Sequence, residues 1–157
     1  MDAPLTIVIV GGVAGGASAA TRARRLNEEA EIILFEKDEY VSFANCGLPY
    51  YLGGEIADRN TLLVATADFL RRRFRLDVRT RQEVLGIDRT HRTVTVKNHA
   101  DGTTYEQRYS KLILAPGANP LVPPIKGTEA PNVLTLRNLH DADRIDAAVK
   151  AARTKQA

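Results

Sequence analysis

Cys46 is the one cysteine among 157 residues, and it stands in Ser42-Phe43-Ala44-Asn45-Cys46-Gly47-Leu48-Pro49-Tyr50-Tyr51. A structural cysteine is usually surrounded by periodic apolar neighbours. This one lies between Asn and Gly, just ahead of a short segment with helical character. The free N–H groups and the dipole of a helix start favour a thiolate over a thiol. The residue types therefore point to a reactive sulfur, and the competing reading is a small buried hydrophobe. A single cysteine excludes an intramolecular disulfide and fits a reducing compartment.

A second constellation is Gly11-Gly12-Val13-Ala14-Gly15-Gly16. Glycines between a strand and a helix let the backbone approach a pyrophosphate, which the helix N-terminus then stabilises. Counted from Gly11, Val13 replaces the second glycine of G-x-G-x-x-G; counted one residue earlier, Val10 replaces the first. The loop is imperfect in either register, but it follows an apolar strand and opens a helix. Glu36 lies 20 residues past Gly16, where an acidic side chain accepts hydrogen bonds from ribose hydroxyls. The alternative is a glycine-rich turn that holds no ligand.

The third constellation is basic. Ser18, Arg22 and Arg25 are spaced i, i+4, i+7 and share one helical face. Arg71-Arg72-Arg73 and Arg75 form a second cluster. Guanidinium groups so grouped hold a multiply phosphorylated ligand through charge-assisted hydrogen bonds; an ordinary solvated face is the alternative. A nucleic-acid surface would interleave aromatic residues with the charges, and no such motif is present. His91, His99 and His140 have no metal-site spacing, so no metal is expected.

The elements that must position these residues follow from periodicity. Leu5–Val10 is an apolar, β-branched run suited to a strand buried on both faces. Ala14–Leu26 reads as a helix, with Ala17, Ala20, Ala23 and Arg24 along one side, and Glu31–Glu36 as a second buried strand. This strand–turn–helix–strand order is a βαβ unit with a right-handed crossover. Thr66–Phe74 reads as a helix and Asp77–Arg79 as a short strand. Glu83–Asp88, Thr93–Lys97 and Thr103–Tyr109 form a small antiparallel meander. Lys111–Ala115 is a further buried strand. Pro120, Pro123, Pro124 and Pro131 mark an extended linker, and Asn138–Ala152 closes as a helix.

The apolar fraction of 44% and charged fraction of 26% are those of a globular protein. The net charge of +3 is too small to argue from except where basic residues cluster. Leu5–Ala20 is no signal peptide: Asp2 is the one charge before it, and paired glycines interrupt it. No run is long enough to cross a membrane. The chain is expected to be soluble and cytoplasmic, without membrane or nucleic-acid partners.

Ile9–Ala17, Phe35-Glu36-Lys37, Ser42–Tyr51 and Leu112–Ala118 together resemble the N-terminal part of the single-cysteine flavoprotein disulfide reductases. The segments are most similar to those of coenzyme A-disulfide reductases and NADH-dependent persulfide or polysulfide reductases. The resemblance implies an α/β fold: a Rossmann-like FAD-binding domain with a parallel sheet and an inserted antiparallel meander. It implies FAD at Gly11, Gly12, Val13, Ala14, Gly15, Gly16, Glu36, Lys37, Val84, Ala115, Pro116 and Gly117. Glu36 would hold the adenosine ribose, Val84 would meet the adenine end through its backbone, and Ala115-Pro116-Gly117 would pass near the flavin. Coenzyme A would be bound by Ser18, Arg22, Arg25, Ser42, Asn45 and Arg73.

By the same resemblance, residues 1–120 are the N-terminal part of the FAD-binding domain with the catalytic Cys46. Residues 121–157 are a linker and helix leading to an NAD(P)H-binding domain that this sequence lacks. The chain is then expected to be an N-terminal fragment, inactive alone, of an enzyme that is a homodimer at full length. Two-cysteine relatives carry C-x-x-x-x-C, and Tyr51 holds the place of the second cysteine. The redox partner of Cys46 must therefore come from outside, as a coenzyme A thiol, a persulfide sulfur or a sulfenic oxygen. Reduction of coenzyme A disulfide or of a persulfide is the expected activity. The alternatives are an NADH oxidase or peroxidase cycling a sulfenic acid, and a non-catalytic flavin- or coenzyme A-binding module.

Overall fold

The computed structural model describes residues 5–152; Asp2 and residues 153–157, the end of the expected connecting segment, lie outside the described residues. The chain divides into two compact units, one made of Met1–Phe43 and Leu63–Gly117, the other of Ala44–Leu62 and Ala118–Ala157.

The first unit is built on four parallel strands: β1 (Thr6–Val10), β2 (Glu31–Glu36), β3 (Asp77–Thr80) and β7 (Lys111–Leu114). Their order is β3-β2-β1-β7, with Val10 beside Phe35 on one side and beside Leu114 on the other. Val8, Ile9 and every β2 residue from Ile32 to Glu36 are buried. The continuous apolar runs thus mark strands covered on both faces. On one face lie α1 (Gly15–Leu26) and α3 (Ala67–Phe74), over a core that includes Ile9, Ala20, Ile32, Leu34, Leu70 and Val78. Gly16, Ala17 and Ala20 are the buried residues of α1, so small side chains bring the helix close to the sheet.

On the other face lies the antiparallel meander of β4 (Gln82–Asp88), β5 (Thr93–Asn98) and β6 (Thr104–Arg108). Val94 and Val96 of β5 join Val8, Ile33 and Phe35 in a second core. At roughly 1.5–3 kcal/mol per fully buried aliphatic or aromatic side chain, these contacts fix the meander against the sheet. A register shift between Val84 and Gly86 bends β4.

The fold is the expected mixed α/β arrangement of a parallel sheet with a separate antiparallel meander, and the differences lie at element ends. Ala14, Thr66 and Asn138 cap helices that they were expected to begin. The Thr66 hydroxyl accepts from the Phe69 N–H, and Asn138 and Asp141 form a reciprocal capping box. Ala115 falls just beyond β7, although its N–H still donates to the Val10 carbonyl at 2.8 Å. Periodicity did not reveal the single-residue bridge between Phe43 and Leu63, which joins residues 20 apart in the chain, or the 3-10 turn Arg59–Leu62, which is too short to show a period.

The second unit contains a 3-10 turn (Asn45–Gly47), α2 (Leu48–Leu52), the turn Arg59–Leu62 and α4 (Leu139–Ala151). Leu48, Leu62, Leu139 and Ala142 are its buried apolar residues. The Ala44 N–H donates to the Leu62 carbonyl at 2.8 Å. The Arg59 guanidinium meets both carboxylate oxygens of Asp143, at 2.6 and 2.7 Å. Among the described residues no helix is long and apolar enough to cross a membrane.

Candidate functional site

The glycine turn is shaped by two close approaches. Gly11 has φ +93°, and a Cβ there would collide with the Ala115 carbonyl oxygen. A Cβ on Gly16 would collide with the Gly11 carbonyl oxygen. Only bare backbone lets α1 start this near the end of β1. The N-terminus of α1 has no side-chain cap and no acid in its first turn. Its free N–H groups and the positive end of its dipole are therefore available to an anion.

Glu36 closes the turn from β2. Its buried carboxylate accepts from the Gly12 N–H at 2.7 Å and the Asp38 N–H at 3.0 Å. These two bonds fix the side chain and leave lone pairs on both oxygens for hydroxyl donors. A cleft of about 130 Å³ opens beside it. It is lined by Val10, Gly11 and Pro116, by Phe35, Glu36 and Lys37 at the end of β2, and by Gln82, Glu83 and Val84 of the meander. The cleft thus brings together Gly11, Glu36, Lys37, Val84 and Pro116, which were singled out from sequence. Val13, Ala14 and Gly15 lie around the helix start, and Gly117 follows Pro116 with φ +72°. An acceptor for ribose hydroxyls, the cleft that it lines and an uncapped helix start after the same glycine turn fit the adenosine and pyrophosphate of a dinucleotide such as FAD. Gln82 and Glu83 were not found from sequence, since no motif or spacing marks them.

The basic residues sort into structural and available ones. Arg24 donates five hydrogen bonds to backbone carbonyls, of Asn27, Glu28, Ala30, Phe74 and Arg75. It ties the end of α1 to the end of α3. Arg71 is spent on the Val78 carbonyl, and Arg72 pairs with Asp68 at 3.1 Å. Ser18, Arg22 and Arg25 are exposed on α1 and Arg73 is exposed on α3. Arg25 and Arg73 line one cleft of about 280 Å³ with Arg24, Glu28, Phe74 and Arg75. Two helices therefore bring to one place arginines that are 48 residues apart in sequence. Ser42 adopts φ +47°; its N–H donates to the Gly12 carbonyl at 2.9 Å, and its carbonyl accepts from Val64 and Ala65.

Asn45 and Cys46 belong to the second unit and are both exposed. Cys46 lies within the 3-10 turn that directly precedes α2, just ahead of a short helix as expected. Gly47 is buried beneath it, where a Cβ would press to 2.7 Å from the Leu62 side chain. Tyr51 sits in α2, half-buried. His91 pairs with Asp88 at 2.6 Å and His99 with Glu83 at 2.9 Å. Among the described residues no group of three His, Cys, Asp or Glu is placed to hold a metal ion.

The chain is 47% identical over 147 residues to a coenzyme A disulfide reductase of Staphylococcus aureus strain JH9, across 92% of this chain and 32% of that protein. It therefore spans about a third of the length of this curated relative. The structure of reduced Bacillus anthracis CoADR-RHD matches with a TM-score of 0.93 and 52% identity, across 97% of this chain and 28% of that one. A NAD-dependent persulfide reductase from A. fulgidus matches with a TM-score of 0.88 and 35% identity, across 94% of this chain and 27% of that one. The description "pyridine nucleotide-disulphide oxidoreductase" fits residues 5–155, from the first strand past the last helix, and the chain belongs to that family.

Proposed function

We infer that this chain is the FAD-binding, thiol-bearing part of a flavin-dependent reductase that acts on coenzyme A disulfide, with NAD(P)H as electron donor. The observation that carries the reading is an exposed, single cysteine in a chain that also holds a nucleotide cradle and a cleft walled by Arg25 and Arg73. Residues 1–120 carry the FAD-binding part and Cys46, and 121–157 form the connecting segment and helix. Gly11, Gly12, Gly15 and Gly16 admit the pyrophosphate, with Val13 and Ala14 at the helix start. Glu36 accepts the ribose hydroxyls, Lys37 and Val84 flank the adenosine end, and Ala115-Pro116-Gly117 passes the flavin. When bound by these residues, FAD would supply the two-electron reduction that regenerates a thiol at Cys46.

The chain's own step is thiol–disulfide exchange. The Cys46 thiolate attacks one sulfur of coenzyme A disulfide, a Cys46–coenzyme A disulfide forms, and one coenzyme A thiolate leaves. Ser18, Arg22, Arg25, Ser42, Asn45 and Arg73 bind the coenzyme, the arginines through its phosphates. Tyr51, in place of a second cysteine, keeps the mixed disulfide from being resolved within the chain.

This half-reaction needs no electron donor, so the chain itself tests it. Mixed with coenzyme A disulfide, it should gain the mass of one coenzyme A moiety and release one thiol, and Cys46→Ser should do neither. Arg25→Ala and Arg73→Ala should slow the reaction about tenfold with coenzyme A disulfide and leave that with a small neutral disulfide unchanged. An adduct that forms equally fast in the arginine variants would reject coenzyme A as the partner, and no adduct at Cys46 would reject the thiol's role.

A further inference from the structure

Arg79 is the centre of a hydrogen-bond chain that runs from the parallel sheet into the meander. Its Nε and Nη2 donate to Asp77 Oδ2 at 2.9 and 2.6 Å. The guanidinium lies over the Phe35 ring, 5.4 Å from the centroid. Nη1 donates to the Tyr105 hydroxyl oxygen at 3.0 Å and to Gln107 Oε1 at 3.2 Å. Tyr105 in turn meets Gln82 Oε1 at 2.5 Å.

Proton inventory gives this chain a direction. A guanidinium has donors only, so the Tyr105 oxygen must accept from Arg79, and the one phenolic proton must go elsewhere. It goes to Gln82. An amide nitrogen does not accept a proton, so the carboxamide must turn Oε1 toward Tyr105. That leaves both Nε2 protons of Gln82 without a partner among the described residues. Gln82 lines the same cleft as Gly11, Glu36 and Glu83. The carboxylates there supply acceptors, and Gln82 adds a neutral donor at a fixed position.

We propose that Gln82 is a nucleotide-binding residue: its Nε2 donates to an acceptor atom at the adenosine end, and Arg79 and Tyr105 are positioning residues that set its orientation. The proposal rests on reading the cleft as the nucleotide site. It does not involve Cys46 or the coenzyme A residues, and it deepens that reading by adding a donor that discriminates among bases and sugars.

ADP carries the relevant adenosine and pyrophosphate, and its binding to the chain can be followed by calorimetry. Gln82→Ala should weaken ADP binding about tenfold, and Gln82→Glu, which replaces the donor with an acceptor of the same shape, by more. Tyr105→Phe keeps the ring and frees the amide to turn, and should weaken binding about threefold. In the Gln82→Ala background Tyr105→Phe should cost nothing further, because it acts only through Gln82. The proposal is overturned if Gln82→Ala and Gln82→Glu both bind within twofold of the unaltered chain, or if Tyr105→Phe costs the same factor in both backgrounds. If the unaltered chain binds no ADP, the nucleotide cleft itself is rejected and the proposal with it.

Discussion

Gly16 and Glu36 show how far single residues set the glycine turn. At Gly16 a methyl group would enter the space of the Gly11 carbonyl, although alanine is the better helix former by about 1 kcal/mol. The two effects oppose, and overpacking of about 1–3 kcal/mol against immobile backbone should win. Gly16→Ala is therefore expected to lower the urea midpoint; an equal or higher midpoint would show that the turn has room to spare. Glu36 was legible because its place follows from the length of a βαβ unit. Gln82 and Arg24 were not, since their roles depend on which carbonyls and hydroxyls the fold brings to them. From sequence Arg24 lies on the same side as the alanines of α1, and its five carbonyl partners explain why a charge can sit there.

Among the elements, the β4–β5 turn carries a titrating pair. The Asp88 carboxylate accepts from the Thr90 and His91 N–H groups and meets the His91 ring at 2.6 Å. The hydrogen bond to Asp88, then its charge, raises the His91 pKa above its ordinary 6.5; Glu106 adds to the rise and Arg108 opposes it. The same hydrogen bond lowers Asp88 below its ordinary 3.8. A raised histidine stabilises fully below 6.5 and loses that contribution as pH climbs through its folded value. A lowered carboxylate stabilises above 3.8 and loses that contribution as pH falls through its folded value. The pair thus supports the turn most between these two limits. In an NMR titration the His91 midpoint should lie above 6.5 and return toward it in Asp88→Asn. An unchanged midpoint in that variant would mean that the pair does not form in solution. Strands and helices were readable from their periods because each repeats a local rule. Their ends shifted by a residue or so where capping side chains decided them, as at Thr66 and Asn138.

For the whole molecule, charge matters through its placement, since the net value is only +3. If Arg25 and Arg73 hold coenzyme A through its phosphates, binding should weaken as salt rises from about 0.1 M to about 1 M, where the screening length falls from about 10 to about 3 Å. Coenzyme A should lose about tenfold or more, and its 3′-dephospho form distinctly less; equal losses would place the 3′-phosphate away from the arginines. Taken by itself, the sequence determined the βαβ order, the meander, the glycine turn with its acidic partner, and a single cysteine without a resolving mate. Local periodicity and short motifs suffice for these. Tertiary structure alone decided that Gln82 and Glu83 share a cleft with Glu36, and that Arg24 is spent on backbone. It also decided that the cysteine segment and the stretch after Gly117 are grouped in one unit. Each of these depends on residues distant in the chain meeting in space, and their side-chain types carry no record of that distance.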